Sequence, residues 1–112
     1  MIRVDIRRGP DRSITGFTMS GHAEYDEHGK DIVCAGVTAV SFGTVNAIEA
    51  LLHVDLQPNI PSRGQLEVIV PRLHDEQVER DLQLLLESMV QMIKGIESSY
   101  SPYLKLQETI IE

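Results

Sequence analysis

The sequence predicts an α+β domain, a mostly antiparallel sheet with two long helices packed on it, in the order β-β-α-β-α-β. Two observations carry this. Apolar residues alternate with polar ones near both ends and once in the middle, whereas two long stretches repeat their apolar residues every three or four positions. There is also no βαβ repetition and no internal repeat, so the helices are expected to cover a sheet built largely from hairpin-like neighbours. A length of 112 residues, 42% of them hydrophobic and 24% charged, suits a single domain over residues 1–112.

Ile2, Val4 and Ile6 alternate with Arg3, Asp5 and Arg7, which sets the apolar side chains on one face of a first strand. Gly9, Pro10 and Asp11 make a turn, and the alternation resumes from Ile14 to Met19 through Phe17, with Gly16 permitting a bulge. Residues 21–30 are polar and aperiodic and read as an exposed loop. From Asp31 the stripe Val33, Val37, Val40, Val45, Ile48, Leu51 and Leu52 marks the first helix, with Asp31 as its N-cap accepting from the amide of residue 33 or 34. Gly36 and Gly43 would each cost about 1 kcal/mol inside that helix, and close packing is the expected reason for them. Residues 55–64, with Pro58, Pro61 and Gly64, form a connection to a short strand of Leu66, Val68 and Val70. Asp75 caps a second helix whose stripe is Val78, Leu82, Leu85, Met89, Ile93 and Ile96, with Glu79, Arg80, Gln83, Glu87 and Gln91 on its other side. Residues 98–102 stop it, and Leu104 and Leu106 begin a last strand. Leu84, Leu85, Leu86, Met89 and Met92 widen the second helix's apolar side, which serves either the core or a partner.

Ten Lys and Arg against 17 Asp and Glu give a net charge of −7, the wrong sign for holding a phosphate backbone, so direct nucleic-acid binding is disfavoured and a basic protein partner is favoured. Charge interrupts the longest apolar runs, such as that from Ile48 to Leu52, and no membrane span is expected. The N-terminus alternates charge and apolar residues, unlike a signal peptide, and the single cysteine, Cys34, cannot form an internal disulfide. Both observations favour a cytoplasmic location.

The chemistry concentrates in residues 21–39, GHAEYDEHGKDIVCAGVTA. A thiol acts as a nucleophile in its anionic form, and a helix N-terminus together with an imidazolium stabilises that form. With Asp31 as cap, Cys34 is the third helical residue, and His22 can fold back as its partner across the loop. The negative charge of Asp31 acts in the opposite sense. Two other readings stay open: Cys34 as a small buried hydrophobe among valines, and a metal site built from His22, His28 and Cys34 with Glu24 and Asp26. His53 and His74 stand near helix ends and read as capping or surface residues. Tyr25 is a candidate substrate contact.

The pattern Gly21-His22-Ala23, then Tyr25, then Asp31-Ile32-Val33-Cys34-Ala35-Gly36 closely resembles the bacterial ribosomal-processing cysteine protease family, Prp. The first hairpin, the Asn46-Ala47-Ile48 helix interior and the final helix follow in family order and spacing. The resemblance implies a small cytoplasmic endopeptidase that needs no cofactor or metal. Its implied task is to remove a basic, hydrophobic N-terminal extension from the precursor of large-subunit ribosomal protein twenty-seven; the alternative is a non-enzymatic ribosome-associated binding module. It assigns Cys34 and His22 as the catalytic pair, and it implies a homodimer and a mobile loop between them, matching residues 21–30. Where the family usually has serine, one turn beyond the cysteine, this chain has Thr38, which keeps the hydroxyl and adds a methyl. In a mechanism of this kind Asp31 fixes the first helical turn, amides near Cys34 hold the oxyanion, and Gly21 and Gly29 are candidate hinges of a closing loop.

Overall fold

The computed structural model describes residues 1–21, 31–62 and 64–111. Its elements run β1 (Ile2–Arg8), β2 (Ile14–Ser20), α1 (Ile32–Leu52), β3 (Leu66–Ile69), α2 (Glu76–Tyr100) and β4 (Leu104–Ile110), the order expected from the periodicities. The sheet order is β3-β2-β1-β4. β1 pairs antiparallel with β2, and β2 with β3, but β4 lies parallel to β1, Ile2 beside Leu104 and Arg8 beside Ile110. The sheet is therefore mixed, with antiparallel pairing in two of its three ladders.

One face of the sheet supplies Ile2, Val4, Ile6, Phe17, Met19, Leu66, Val68 and Leu104 to a single core, closed from above by Val33, Val37, Ile48, Leu82, Leu86, Met89 and Ile93. The bulge near Gly16 is present: Arg7 pairs with Gly16 and Arg8 with Ile14, leaving Thr15 as the extra residue. Its cost is offset from α2. The Gln83 side chain accepts from the Ile14 amide at 2.7 Å and donates to the Ile14 carbonyl at 2.9 Å, taking the place of a strand neighbour.

Both helices turn slightly differently from their sequence stripes. In α1 the buried side is Val33, Val37, Ser41, Thr44, Val45 and Ile48, while Leu51 is 68% exposed. Ser41 and Thr44 enter the core because their hydroxyls find acceptors, Met19 Sδ at 2.8 Å and the Val40 carbonyl at 2.7 Å. In α2 Leu86 and Val90 are buried and Leu85 only half so, and Leu84 and Met92 face outward. The residues expected to face solvent here include three that are engaged: Gln83 as above, Glu79 accepting from the Leu73 amide, and Glu87 holding Arg8. Arg8 is nearly buried and ties β1 to α2 and β4 through Glu87 and Glu108, and Lys94 completes the cluster on Glu108.

The expectation that no segment is long and apolar enough for a membrane span does not hold for α1, whose 21 residues include an 18-residue window of mean hydropathy 1.5. No charge occurs between Ile32 and Ile48, and a third of that window is buried inside the fold, where the helix packs on α2 and joins the core. Close packing does not explain its glycines either. A Cβ on Gly36 would meet Ile96 Cδ1 at an ordinary 3.7 Å, and one on Gly43 would meet no described atom within 4 Å.

Candidate active site

Cys34 lies where five chain segments converge. β1 begins there, β2 ends at Ser20, α1 begins, α2 ends and β4 begins. The Ile96 side chain, near the end of α2, lies over Gly36, so the two helices pass with the first turn of α1 beside the last turns of α2.

The first turn of α1 is built as its residues dictate. Asp31 has extended backbone angles, φ −79° and ψ 106°, and one carboxylate oxygen accepts from the amides of Val33 at 2.9 Å and Cys34 at 3.1 Å. Its carbonyl accepts the Ala35 amide at 3.0 Å and starts the helical ladder. Asp31 is 9% exposed, so the cap is largely shielded from competing water. Cys34 follows as the third helical residue, half-buried with its side chain against the core. Thr38 stands one turn further along α1 and is exposed.

On the β side Gly21 has φ +87° and packs against the start of β1, where a Cβ would stand 2.3 Å from the Met1 carbonyl oxygen. Only glycine fits, and the contact aims the chain out of β2 immediately before His22. His22, Tyr25 and Gly29, with the other candidate metal ligands Glu24, Asp26 and His28, lie outside the described residues. Among the described residues no three of His, Cys, Asp and Glu gather closely enough to hold a metal ion. His53 is the C-cap of α1, with φ 59° and its amide on the Glu49 carbonyl, and His74 is exposed beside the α2 cap Asp75.

The family model described as Cysteine protease Prp matches residues 1–105. The chain belongs to the Prp cysteine protease family. It is a cysteine protease, a hydrolase of peptide bonds, as the geometry of Cys34 at a capped helix start accommodates. It is 40% identical over 112 residues to the ribosomal processing cysteine protease Prp of Bacillus subtilis (strain 168), covering 99% of this chain and 100% of that one. A crystal structure of an essential ribosomal processing protease Prp from S. aureus, in complex with a covalently linked product peptide, is similar at a TM-score of 0.81 and 35% identity, covering 97% of this chain and 100% of that one. A second S. aureus Prp structure, in complex with a substrate peptide, is similar at 0.76 and 33% over the same shares.

Sequence reading missed what the far end of the chain brings to the start of β1, where the Tyr103 carbonyl accepts the Ile2 amide. Tyr100 and Tyr103, on the turn from α2 to β4, are half-buried at this same end. Their local signal, two tyrosines flanking a Ser-Pro stop, reads only as a helix terminus.

Proposed function

We propose that the protease removes the N-terminal extension of the precursor of large-subunit ribosomal protein twenty-seven in the cytoplasm, with Cys34 as nucleophile and His22 as general base and acid. The observation that carries this is the placement of Cys34 as third residue of a capped helix at the convergence of β1, β2, β4 and α2. The ribosomal processing role named for its relatives supports the substrate class.

The Cys34 thiolate attacks the scissile carbonyl carbon, His22 having taken the thiol proton. His22 returns that proton to the leaving amine as the peptide bond breaks, and water then hydrolyses the thioester. The amides of Val33 and Cys34 are engaged by Asp31, so of the first-turn donors the Ile32 amide, which Asp31 does not hold, is the one assigned to the oxyanion. Asp31 acts by fixing this turn. Thr38, one turn on, supplies a hydroxyl on the Cys34 side of α1, and Tyr25 is a substrate contact. Gly21 and Gly29 are assigned as hinge candidates. The working form is a homodimer, and the basic extension is drawn to a chain of net charge −7.

The test is incubation of the purified protein with the precursor, followed by product mass, beside Cys34→Ala and His22→Ala. One cut, lost in both variants, is expected; turnover retained by Cys34→Ala would overturn the assignment.

A further inference from the structure

The two helices lie side by side over the sheet, and the side of this layer turned away from the sheet is uncharged along most of its length. On α1 the exposed stripe is Ile32, Ala35, Ala39, Gly43, Asn46 and Ala50, and no charged residue precedes Glu49 in that helix. Its most apolar window has a mean hydropathy of 1.5, yet only 33% of that window is buried inside the fold. On α2 the exposed stripe is Leu84, Ser88, Met92 and Gly95. Glu87 and Lys94 turn the other way, to Arg8 and Glu108. Leu84 and Met92, 68% and 45% exposed, are thus left outside the core that the apolar width of α2 could have served. Because Ile96 lies over Gly36 and the helices run in opposite directions, Met92 comes level with the second turn of α1 and the two stripes adjoin.

The rest of the surface is charged. The outer face of the sheet presents Arg3, Asp5, Arg7, Glu67 and Lys105, alternating with the buried residues of the same strands. A basic partner is drawn by carboxylates, and the two stripes offer it none. A lipid surface is met by apolar helices edged with Lys or Arg, and α1 contains neither. A second copy carries the same net charge of −7 and is repelled everywhere except where neither copy presents charge. The shape is also self-complementary. Small residues keep α1 low while Leu84 and Met92 stand proud on α2, so a two-fold axis running along the helices sets the high stripe of each copy on the low stripe of the other. With 21 residues in α1 and about 20 Å across two helices, the face offers about 600 Å² per copy, or about 1,200 Å² in all, which exceeds the roughly 1,000 Å² a specific interface needs.

We propose that the outer face of α1 and α2 is where two copies of this chain meet. This rests on the homodimer proposed above and gives it a surface. Cys34 and Thr38 each stand about 200° around α1 from Gly36, the residue under Ile96, so they lie on the flank away from α2. A copy seated across both helices therefore leaves that flank uncovered.

The test is sedimentation velocity over a micromolar dilution series, with circular dichroism and thermal unfolding to show that each variant is folded. The unsubstituted protein is expected to be dimeric. Ala39→Glu and Met92→Lys, on opposite stripes and both exposed within the protomer, should raise the dissociation constant at least about 100-fold by burying unpaired charge. Gln107→Lys, exposed on the outer face of the sheet, should leave it unchanged. Alanine at Gly43 only repeats Ala35 and Ala39 and should also leave it unchanged. If Ala39→Glu fails to fold, Leu84→Lys takes its place. A dimer that persists in the charged variants, or one that Gln107→Lys dissociates equally, would overturn this face and leave the homodimer standing. An unsubstituted protein that is monomeric yet cuts the precursor would overturn the homodimer and the face together while the protease reading holds. A monomer that cosediments with phosphatidylcholine vesicles would give the face to lipid and overturn the second copy.

Discussion

Replacing Gly21 and Gly43 by alanine, one at a time, should move stability in opposite directions. At Gly21 the methyl would stand 2.3 Å from the Met1 carbonyl oxygen and 3.4 Å from its carbonyl carbon, both backbone atoms. Restoring ordinary contact near 3.4 Å shifts the start of β1 by about 1.1 Å, and that strand end is held by the Ile2 to Tyr103 hydrogen bond and by the pairing of Arg3 with Ser20. An L-residue at φ +87° adds about 1–2 kcal/mol of backbone strain, and a weakened terminal hydrogen bond about 1 kcal/mol more. The expected loss is about 2–3 kcal/mol, which for a domain of this size lowers Tm by roughly 10 °C. At Gly43 no described atom lies within 4 Å of the added methyl, the position is exposed in mid-helix, and the gain is about 1 kcal/mol. Parallel thermal and denaturant unfolding of the two variants measures the contrast. Cleavage rates on Gly21→Ala report the same corner, because a displacement of about 1 Å at a catalytic group costs on the order of 100-fold. A Gly21→Ala protein as stable as the parent, or a Gly43→Ala protein less stable than it, would refute this account of the two glycines.

Gln83→Ala strips both backbone groups of Ile14 of their partner beside the bulge and should cost about 2–3 kcal/mol in denaturant unfolding. Gln83→Glu should recover little of it, because a carboxylate cannot donate to the Ile14 carbonyl. A second measurement is the pH dependence of stability. The hydrogen bond from Arg8 holds the Glu108 carboxyl below its usual range, so its folded value is depressed. Its contribution is present above the ordinary carboxylate range and is lost as pH falls through the lower folded value. Unfolding midpoints should therefore fall on acidification below about pH 5, less steeply in Glu108→Gln. A Glu108→Gln profile identical to that of the parent would remove this pair from the acid response.

The sequence by itself determined every element and the first turn of the site. Alternation and three-four spacing are local consequences of strand and helix geometry, so Ile2, Val4 and Ile6, or Val33 and Val37, declare their faces without reference to anything distant. The Asp31 cap and the position of Cys34 in the helix are legible for the same reason, since four consecutive residues, 31–34, make the whole arrangement. Only the tertiary structure decided which strands are neighbours, placing β4 parallel to β1 across the length of the chain. It decided that Ser41 and Thr44 turn inward while Leu51 turns out, because a buried hydroxyl is acceptable once an acceptor lies within reach. It turned Gln83 and Glu87, which look like solvent-facing helix residues, into partners of Ile14 and Arg8. It also carried Tyr100 and Tyr103 to the end that holds Cys34. Hydrogen-bond complementarity and close packing act between residues far apart in the chain, and no periodicity within one segment records them.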